Sequence, residues 1–285
     1  MTLHPKSPKV AVITGASGGF GLITALELAR AGFRVIATMR NLKKRLALDE
    51  AVALENLAAA IEVRHLDVTA FDTHTPFFDS VVGEFGSLDV LVNNAGFSMA
   101  GFAEDVSLAE LREQFETNFF GAVSLSKAAL PQMRLQGSGH VIQVSSVTGR
   151  YANACVSSYS ASKFALEGWS EALRLEMNPL GIRIVLVEPG AFATDIWEKN
   201  VRVGQAAFNV HSPNKERSLR FRDYVRDQVA KRDPREVARL IAALAQDPYP
   251  NLRYLVGQDA KTFRILDSLV PWKIWERMVE KRIGL

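Results

Sequence analysis

The sequence predicts a single α/β domain of the Rossmann type, with a doubly wound, mostly parallel, seven-stranded sheet. Three observations support this fold class. Short continuous apolar runs, typical of strands buried on both faces, alternate with longer segments typical of helices. A glycine-rich turn joins the first apolar run to the first helix. Hydrophobic residues make up 48% of the 285 residues, which is enough to bury an extensive core.

Seven short segments are predicted as the strands of this sheet. In chain order they are Val10–Ile13, Arg34–Thr38, Ile61–Leu66, Leu88–Val92, His140–Ser145, Ile182–Val187 and Arg253–Val256. Helices are predicted between them from composition and from end signals such as the capping box that opens at Ser107. They are the helix after the glycine turn, Lys43–Ala60, Phe71–Phe85, the helix that begins after Ser107, Ser157–Asn178, and one from Asp233 to Ala245.

The glycine-rich turn runs from Thr14 to Gly21 and carries glycines at positions 15, 19 and 21. Strand, turn and helix together place backbone N–H groups and a helix N-terminus where a pyrophosphate can bind. A glycine-rich turn without a ligand is the alternative. The strand-to-helix setting favours a nucleotide site.

The second strand ends at Met39 and Arg40, and this ending bears on the choice of cofactor. An NAD enzyme usually has an acidic residue where Met39 stands, because a carboxylate accepts hydrogen bonds from the ribose hydroxyls. That acid is missing here, and Arg40 can pair with a 2′-phosphate through two hydrogen bonds. A solvated surface arginine is the alternative. The missing acid favours NADP(H) over NAD(H).

Tyr159 and Lys163 are four residues apart on a predicted helix, so their side chains share one face. A phenol titrates near pH 10 and is a poor base unless its anion is stabilised, which a nearby ammonium can do. Ser146, thirteen residues before Tyr159, can donate a hydrogen bond to the same substrate oxygen. Taken alone, a Tyr-x-x-x-Lys pattern is also typical of a solvated helix face.

Composition and charge exclude several other classes of function. The net charge is +3 and the basic residues form no long runs, so nucleic acid is not an expected partner. The single cysteine, Cys155, excludes an internal disulfide, and the five histidines lack metal-ligand spacing, so no metal site is expected. The N-terminal segment is short and polar, with no signal-peptide core or membrane span. A cytoplasmic, reducing location is expected.

Several motifs occur in a fixed order: the turn Thr14–Gly21, then Asn93-Asn94-Ala95-Gly96, Asn118, Ser146, Tyr159 with Lys163, and Pro189-Gly190. This combination resembles the short-chain dehydrogenase/reductase family, from about Lys9 to about Gly257. The resemblance implies reversible hydride transfer between NADP(H) and a secondary alcohol or ketone. It also implies that Tyr159 is the acid and base, that Lys163 lowers its pKa, and that Ser146 orients the substrate oxygen.

Asn118 has two interpretations. A polar amide between apolar neighbours usually satisfies a backbone group, whereas the resemblance implies that Asn118 fixes a water linking Lys163 to solvent. The second is favoured because Ser146, Tyr159 and Lys163 are present.

The resemblance also implies a set of cofactor contacts. Asp67 and Val68 would lie along the adenine, and Phe20 stands where the family usually has isoleucine or leucine. The predicted cofactor-binding residues are Gly15, Ser17, Gly18, Gly19, Phe20, Gly21, Arg40, Asp67, Val68, Asn93, Ala95, Gly96, Tyr159, Lys163, Pro189, Gly190 and Thr194.

The segment from about 195 to 233 is rich in arginine and lysine and lies where the family keeps a mobile substrate lid. Ile196, Trp197 and Phe208 are predicted to line the substrate pocket. Segments such as Val187-Glu188-Pro189-Gly190 are most similar to hydroxysteroid and retinol dehydrogenases, which implies a bulky apolar substrate. Residues 1–258 are thus predicted to form the catalytic domain, and residues 259–285 a C-terminal extension.

The extension is amphipathic, and it has three possible roles. Its apolar residues can cover the pocket, pack on a partner subunit, or rest on a membrane surface, with the first two favoured. These residues are Leu266, Leu269, Val270, Trp272, Ile274, Trp275, Met278, Val279 and Ile283. The resemblance further implies a homodimer or homotetramer through the helices carrying Asn118 and Tyr159. The functional alternatives are an NADP(H)-sensing regulatory protein and a membrane-surface protein, each without significant turnover.

Overall fold

The computed structural model describes residues 7–193, 201–207, 209, 212–229, 232–258, 260 and 270–283. Its central sheet has seven parallel strands in the order β3-β2-β1-β4-β6-β7-β9. These strands are β1 (Val10–Ile13), β2 (Arg34–Met39), β3 (Ile61–His65), β4 (Val90–Asn93), β6 (Gly139–Val144), β7 (Ile182–Pro189) and β9 (Arg253–Val256). All seven predicted strands are therefore confirmed, with bounds that differ by at most two residues.

Helices cover both faces of this sheet. The α-helices of the described residues are α1 (Gly19–Arg30), α2 (Leu46–Leu54), α3 (His74–Phe85), α4 (Leu108–Phe115), α5 (Gly121–Gln136), α6 (Ser157–Met177), α7 (Lys215–Val229), α8 (Arg235–Leu244) and α9 (Trp272–Ile283). Side chains of α1, α2 and α8 form one apolar core against the sheet, and those of α3, α5 and α6 form the other. The doubly wound architecture is confirmed, because apolar strands such as β1 and β4 are buried on both faces.

The strand order reverses at β1, which lies between β2 and β4. From β1 the chain winds outward to β2 and β3, and then returns to build β4, β6, β7 and β9 on the other side. Open α/β sheets bind ligands at the carboxyl ends of the strands beside such a reversal. The glycine-rich turn follows β1 directly, so it lies at this position.

The predicted helix over Lys43–Ala60 is shorter in the structure. A 3₁₀ turn occupies Leu42–Lys44, and α2 then ends at Leu54. Asn56 takes a left-handed backbone conformation with φ at 57°, which stops a helix. Its neighbours carry no proline or glycine that would mark this end in the sequence.

The predicted lid region contains two elements that the sequence did not indicate. β8 (Val201–Val203) pairs in parallel with β5 (Ser98–Ala100), outside the central sheet, and α7 follows. The charged composition of α7 had obscured its helical pattern. Thr194, Ile196, Trp197 and Phe208, which were predicted to contact cofactor or substrate, lie outside the described residues.

The C-terminal extension forms α9, which begins after Pro271 and contacts α7. Trp272, Ile274 and Met278 are exposed on it. Leu266 and Leu269 lie outside the described residues. Among the helices described, none combines the length and the apolar character needed to cross a membrane.

Candidate active site

A cleft of about 360 Å³ opens at the carboxyl ends of the central strands. Turns after β1, β2, β3, β4, β6 and β7 contribute its walls, together with the segment between α4 and α5, α6 and β8. The lining residues are Gly15, Ser17, Gly18, Gly19, Phe20, Met39, Arg40, Asn41, Lys44, Leu66, Asp67, Val68, Asn94, Ala95, Gly96, Phe97, Thr117, Asn118, Val144, Ser145, Ser146, Tyr159, Lys163, Pro189, Gly190, Phe192 and Arg202. This set includes the described residues predicted for the site, except Gly21 and Asn93.

The glycine turn is shaped by close backbone contact. Gly15 has φ at +70°, and a Cβ atom added to Gly21 would lie 2.2 Å from the Gly15 carbonyl oxygen. Gly21 therefore acts through packing of α1 against the turn, and a side chain there would force the two apart. Gly18 precedes α1 and supplies no side-chain cap, so the first N–H groups of the helix remain available for an anion.

Thr14 and Asn94 hold this turn in place, and sequence reasoning had assigned neither of them a role. The Asn94 side-chain amide donates to the Thr14 carbonyl oxygen at 2.7 Å, and the Thr14 hydroxyl accepts from the backbone N–H groups of Asn94 and Ala95. The neighbouring Asn93 side chain instead donates to the Ala122 carbonyl and the Ser126 hydroxyl on α5. The Asn93 side chain thus joins β4 to α5 and does not line the cleft.

The end of β2 presents positive charge to the cleft. Met39 is buried, whereas Arg40 exposes 63% of its side chain and has its Nε atom 3.9 Å from a carboxylate oxygen of Asp67. An exposed pair at this distance is weak, so the guanidinium can turn toward an anion. Lys44, which the sequence analysis did not single out, lines the same end of the cleft.

Tyr159 and Ser146 meet at the opposite end of the cleft. Ser146 follows β6, and its hydroxyl oxygen accepts hydrogen bonds from the Thr148 N–H at 3.2 Å and the Thr148 hydroxyl at 2.9 Å. Tyr159 is only 4% exposed, and its hydroxyl is hydrogen-bonded to the Ser146 and Thr148 side chains. Thr148 is an additional site residue, two positions after the predicted serine.

The pKa values of Tyr159 and Lys163 depart from the sequence-based expectation. Burial raises the pKa of Tyr159 to about 12, although hydrogen bonding with Ser146 and Thr148 opposes that rise. Burial also lowers the pKa of Lys163 to about 8. The Lys163 ammonium donates to the Val144 carbonyl at 2.8 Å and lies 5.8 Å from the centre of the Tyr159 ring. The chain by itself therefore does not lower the pKa of the Tyr159 phenol.

Asn118 lies in a π-helical turn, Glu116–Phe120, that joins α4 to α5. Its side chain accepts from the Phe97 N–H at 3.1 Å and donates to the Phe97 carbonyl at 2.9 Å. Both of these hydrogen bonds satisfy backbone groups, as the first of the two interpretations of Asn118 states. Single π turns are frequent at functional sites, and the water link to Lys163 remains a prediction.

The chain matches a known protein family. A family model for short chain dehydrogenases matches residues 9–203, which is more than half of the chain. The chain belongs to this family. It is therefore an oxidoreductase of the short-chain type, and this family binds a nicotinamide cofactor.

Relatives of this dehydrogenase cover nearly its whole length. An uncharacterised oxidoreductase of Bacillus subtilis, YusZ, is 40% identical over 96% of this chain and 98% of its own. Human retinol dehydrogenase 8 is 38% identical over 87% of this chain and 81% of its own. A solved short-chain dehydrogenase from Streptomyces avermitilis superposes with a TM-score of 0.81 at 36% identity, over 96% and 99% of the two chains.

A solved metagenomic short-chain oxidoreductase in complex with NADP is also similar to this dehydrogenase. It superposes with a TM-score of 0.68 at 27% identity, covering 87% of this chain and 96% of the other.

The cleft of this dehydrogenase fits a dinucleotide on its own geometry. The glycine turn has no room for a side chain at Gly21, and the start of α1 offers uncapped N–H groups. Phe20, which stands where the family usually has isoleucine or leucine, contacts Phe192 edge-to-face with ring centres 5.7 Å apart. This aromatic contact stabilises the side chain of Phe20 in the cleft wall. Within the described residues, no group of three or more histidine, cysteine, aspartate or glutamate side chains is arranged to hold a metal ion.

Proposed function

We propose that this dehydrogenase interconverts a secondary alcohol and a ketone with NADP(H), and that its substrate is bulky and apolar. One observation carries the proposal. The hydroxyl of the buried Tyr159 lies against Ser146 and Thr148, one helical turn from Lys163, in the same cleft as the glycine turn. A proton donor and a dinucleotide cradle thus face one space.

The nicotinamide, when bound, supplies or accepts the hydride. Tyr159 gives its proton to the carbonyl oxygen in the reductive direction and takes it back in the oxidative direction. Ser146 donates a hydrogen bond to the same oxygen and holds it against Tyr159. Lys163, whose pKa lies near 8, carries a positive charge at neutral pH and stabilises the phenolate that proton donation leaves.

Burial raises the pKa of Tyr159, so the phenol is protonated at neutral pH in the chain alone. A protonated tyrosine is the form needed to donate to a carbonyl oxygen.

Charge at the end of β2 supports the choice of NADP(H). Arg40 and Lys44 place two cations at the cleft, and the buried Met39 replaces the carboxylate that would repel a 2′-phosphate. The metagenomic relative described above was solved with NADP.

The surroundings of Tyr159 support an apolar substrate. Cys155, Val156 and Phe221 form a buried apolar cluster with Tyr159, and Phe102 packs against it. Phe97 and Phe192 line the cleft. Such walls favour a bulky hydrocarbon surface over a charged one, and the name of the retinol dehydrogenase relative points the same way.

The direct test is to follow NADPH oxidation by the purified protein across ketones of graded size, with NADH in parallel. Turnover should increase with apolar bulk and should be faster with NADPH at limiting cofactor. Tight NADPH binding without oxidation on any ketone would contradict the proposal and favour a cofactor-sensing protein.

A further inference from the structure

Two buried carboxyl groups lie next to the active site and take no part in the proposed proton transfer. Glu167 is one turn of α6 beyond Lys163, and Glu188 is the residue of β7 that precedes Pro189 and Gly190 in the cleft wall. Glu188 is 0% exposed, and Glu167 is nearly as deeply buried. Buried carboxyl groups are rare unless something compensates their charge.

The guanidinium of Arg253 is ion-paired with both groups. The Arg253 Nε atom lies 3.1 Å from Glu167 and 3.4 Å from Glu188, while its terminal nitrogen binds Glu171 at 2.6 Å. β9 pairs with β7 so that Leu186 is opposite Arg253, which places Arg253 and Glu188 on the same face of the sheet. One guanidinium therefore faces three carboxyl groups, two of which are buried.

Full ionisation of the buried pair is unfavourable. Within the described residues, neither oxygen of Glu188 receives a hydrogen bond from an ordinary donor. Oxygens of Glu167 and Glu188 lie within 3.4 Å of the same Arg253 nitrogen, so the two carboxyl groups are neighbours, and a hydrogen bond between them requires one proton. Burial and the Glu167 charge raise the pKa of Glu188 to about 7, and burial also raises the pKa of Glu167.

Glu167 and Lys163 share the same packed space. A Cβ atom on Gly149 would lie 3.0 Å from the Glu167 Cγ atom, 3.0 Å from the Ser145 hydroxyl and 3.2 Å from the Lys163 Cβ atom. A negative charge on Glu167 raises the pKa of Lys163 and so opposes the effect of burial. The charge of the carboxyl pair is thus felt at the lysine.

Charged and polar groups face the pair from every neighbouring element. Lys163 and Glu171 approach from α6, Arg253 from β9, Arg150 from the turn after β6, and Ser145 from the end of β6. The two arginines and the Ser145 hydroxyl favour the ionised forms, whereas burial and mutual repulsion oppose them. One ionised and one protonated carboxyl group is the state that satisfies these opposing influences best.

We propose that Glu167 and Glu188 hold one proton between them at neutral pH and act together as positioning residues for Lys163 and for the Pro189-Gly190 wall. The effect on turnover rests on the proposed function, whereas the shared proton does not. When the pH rises, the proton leaves to solvent and a second negative charge forms beside Lys163. The pair therefore links solvent pH to the charge of the lysine.

The shared proton can be tested without any substrate. Infrared difference spectra of the wild-type protein should show a protonated-carboxyl band at neutral pH that fades as the pH rises. The band should be lost in Glu188→Gln and retained in Glu171→Gln, a matched control that removes an exposed carboxylate from the same arginine. A wild-type protein without such a band at neutral pH would overturn the proposal, whether or not the variants fold.

Thermal unfolding gives a second readout. The folded-state pKa of Glu188 lies above its unfolded value, so the folded state binds the extra proton between the ordinary pKa of glutamate and about 7. The contribution of Glu188 to the free energy of unfolding is therefore largest below that pH range, and it is lost as the pH rises through the range. Glu188→Gln should show a smaller fall in Tm across this range than wild type or Glu171→Gln. An equal fall in all three proteins would contradict the shared proton.

Activity separates the positioning role from the proton itself. Glu167→Gln removes the charge beside Lys163 and should move the alkaline limb of the kcat profile toward acid by about one pH unit, with the NADPH Kd nearly unchanged. An unchanged profile in Glu167→Gln would reject the positioning role. Absence of turnover in wild type would instead reject the proposed function, and the infrared and unfolding results would still decide the shared proton.

Discussion

The two ends of the cleft are built in different ways. At the nucleotide end, the shape comes from backbone contact between Gly15 and Gly21, and the charge comes from the exposed Arg40. At the catalytic end, Tyr159 and Lys163 are buried and burial moves both of their pKa values. The first end depends on steric closeness and solvated charge, and the second on the protonation state of desolvated groups.

This difference predicts how each end fails. Changes at the nucleotide end should weaken cofactor binding while leaving the chemistry of bound substrate intact. Changes at the catalytic end should alter turnover and its pH dependence while leaving cofactor affinity nearly unchanged. The following substitutions test that separation.

The largest effect is expected for Tyr159→Phe, which removes the proposed proton donor. Turnover should fall by about 10²- to 10⁴-fold, the usual contribution of general acid–base catalysis. The NADPH Kd, measured by fluorescence titration, should remain close to the wild-type value. Tyr249→Phe is the matched control, because Tyr249 is exposed and lies outside the cleft. Substantial residual turnover in Tyr159→Phe would remove the distinction between the two ends.

A smaller effect is expected for Arg40→Ala. Loss of charged hydrogen bonds to a 2′-phosphate costs about 1.5–3 kcal/mol, so the NADPH Kd should rise by about ten- to hundredfold. The NADH Kd should barely change, and kcat at saturating NADPH should be retained. Lys44→Ala should act in the same direction more weakly. Lys43→Ala is the control, because Lys43 is exposed and does not line the cleft. Equal losses for both cofactors would show that Arg40 does not contact the 2′-phosphate.

Gly21→Ala tests the steric part of the nucleotide end. Its Cβ atom would lie 2.2 Å from the Gly15 carbonyl oxygen, so α1 and the turn must separate. The free energy of unfolding should fall by about 1–3 kcal/mol, as for other overpacked sites, and affinity for both dinucleotides should drop together. In the control Gly83→Ala, the new methyl group meets open space, so stability should rise by about 0.5–1 kcal/mol. Chemical denaturation measures both changes, and an unaltered Gly21→Ala protein would show that the turn is not tightly packed.

The smallest effect is expected for Phe20→Leu, which restores the residue type usual in the family. It removes the edge-to-face contact with Phe192 and should cost about 0.5–1.5 kcal/mol of stability. Because Phe20 belongs to the glycine turn at the nucleotide end, the NADPH Kd should change more than the KM for bulky ketones. A double-mutant cycle with Phe192→Leu measures the coupling, and a coupling energy of zero would mean that the two rings act independently.

Much of the nucleotide end was predictable from local sequence. The seven strands appear as apolar runs, and Gly15 and Gly21 stand at fixed spacing after the first of them. The spacing of Tyr159 and Lys163 predicted one shared face, and in the structure both side chains line one cleft. These features depend on neighbours within a few residues, which is the range that periodicity and backbone conformation encode.

Other features depended on contacts between distant segments. Neighbouring asparagines at the end of β4 have different roles, with the last strand residue Asn93 directed to α5 and the following Asn94 to the glycine turn, because successive side chains of an extended chain point to opposite faces. The pairing of β5 with β8 likewise joins segments far apart in the chain.

The sequence by itself determined the fold class, the order of the strands along the chain, and which residue types the site contains. Only the tertiary structure decided their protonation. The high pKa of Tyr159 follows from its burial, and the grouping of Glu167 and Glu188 around Arg253 follows from the pairing of β7 with β9. A pKa depends on the solvent and charge that surround a group in space, and those surroundings exist only after the chain has folded.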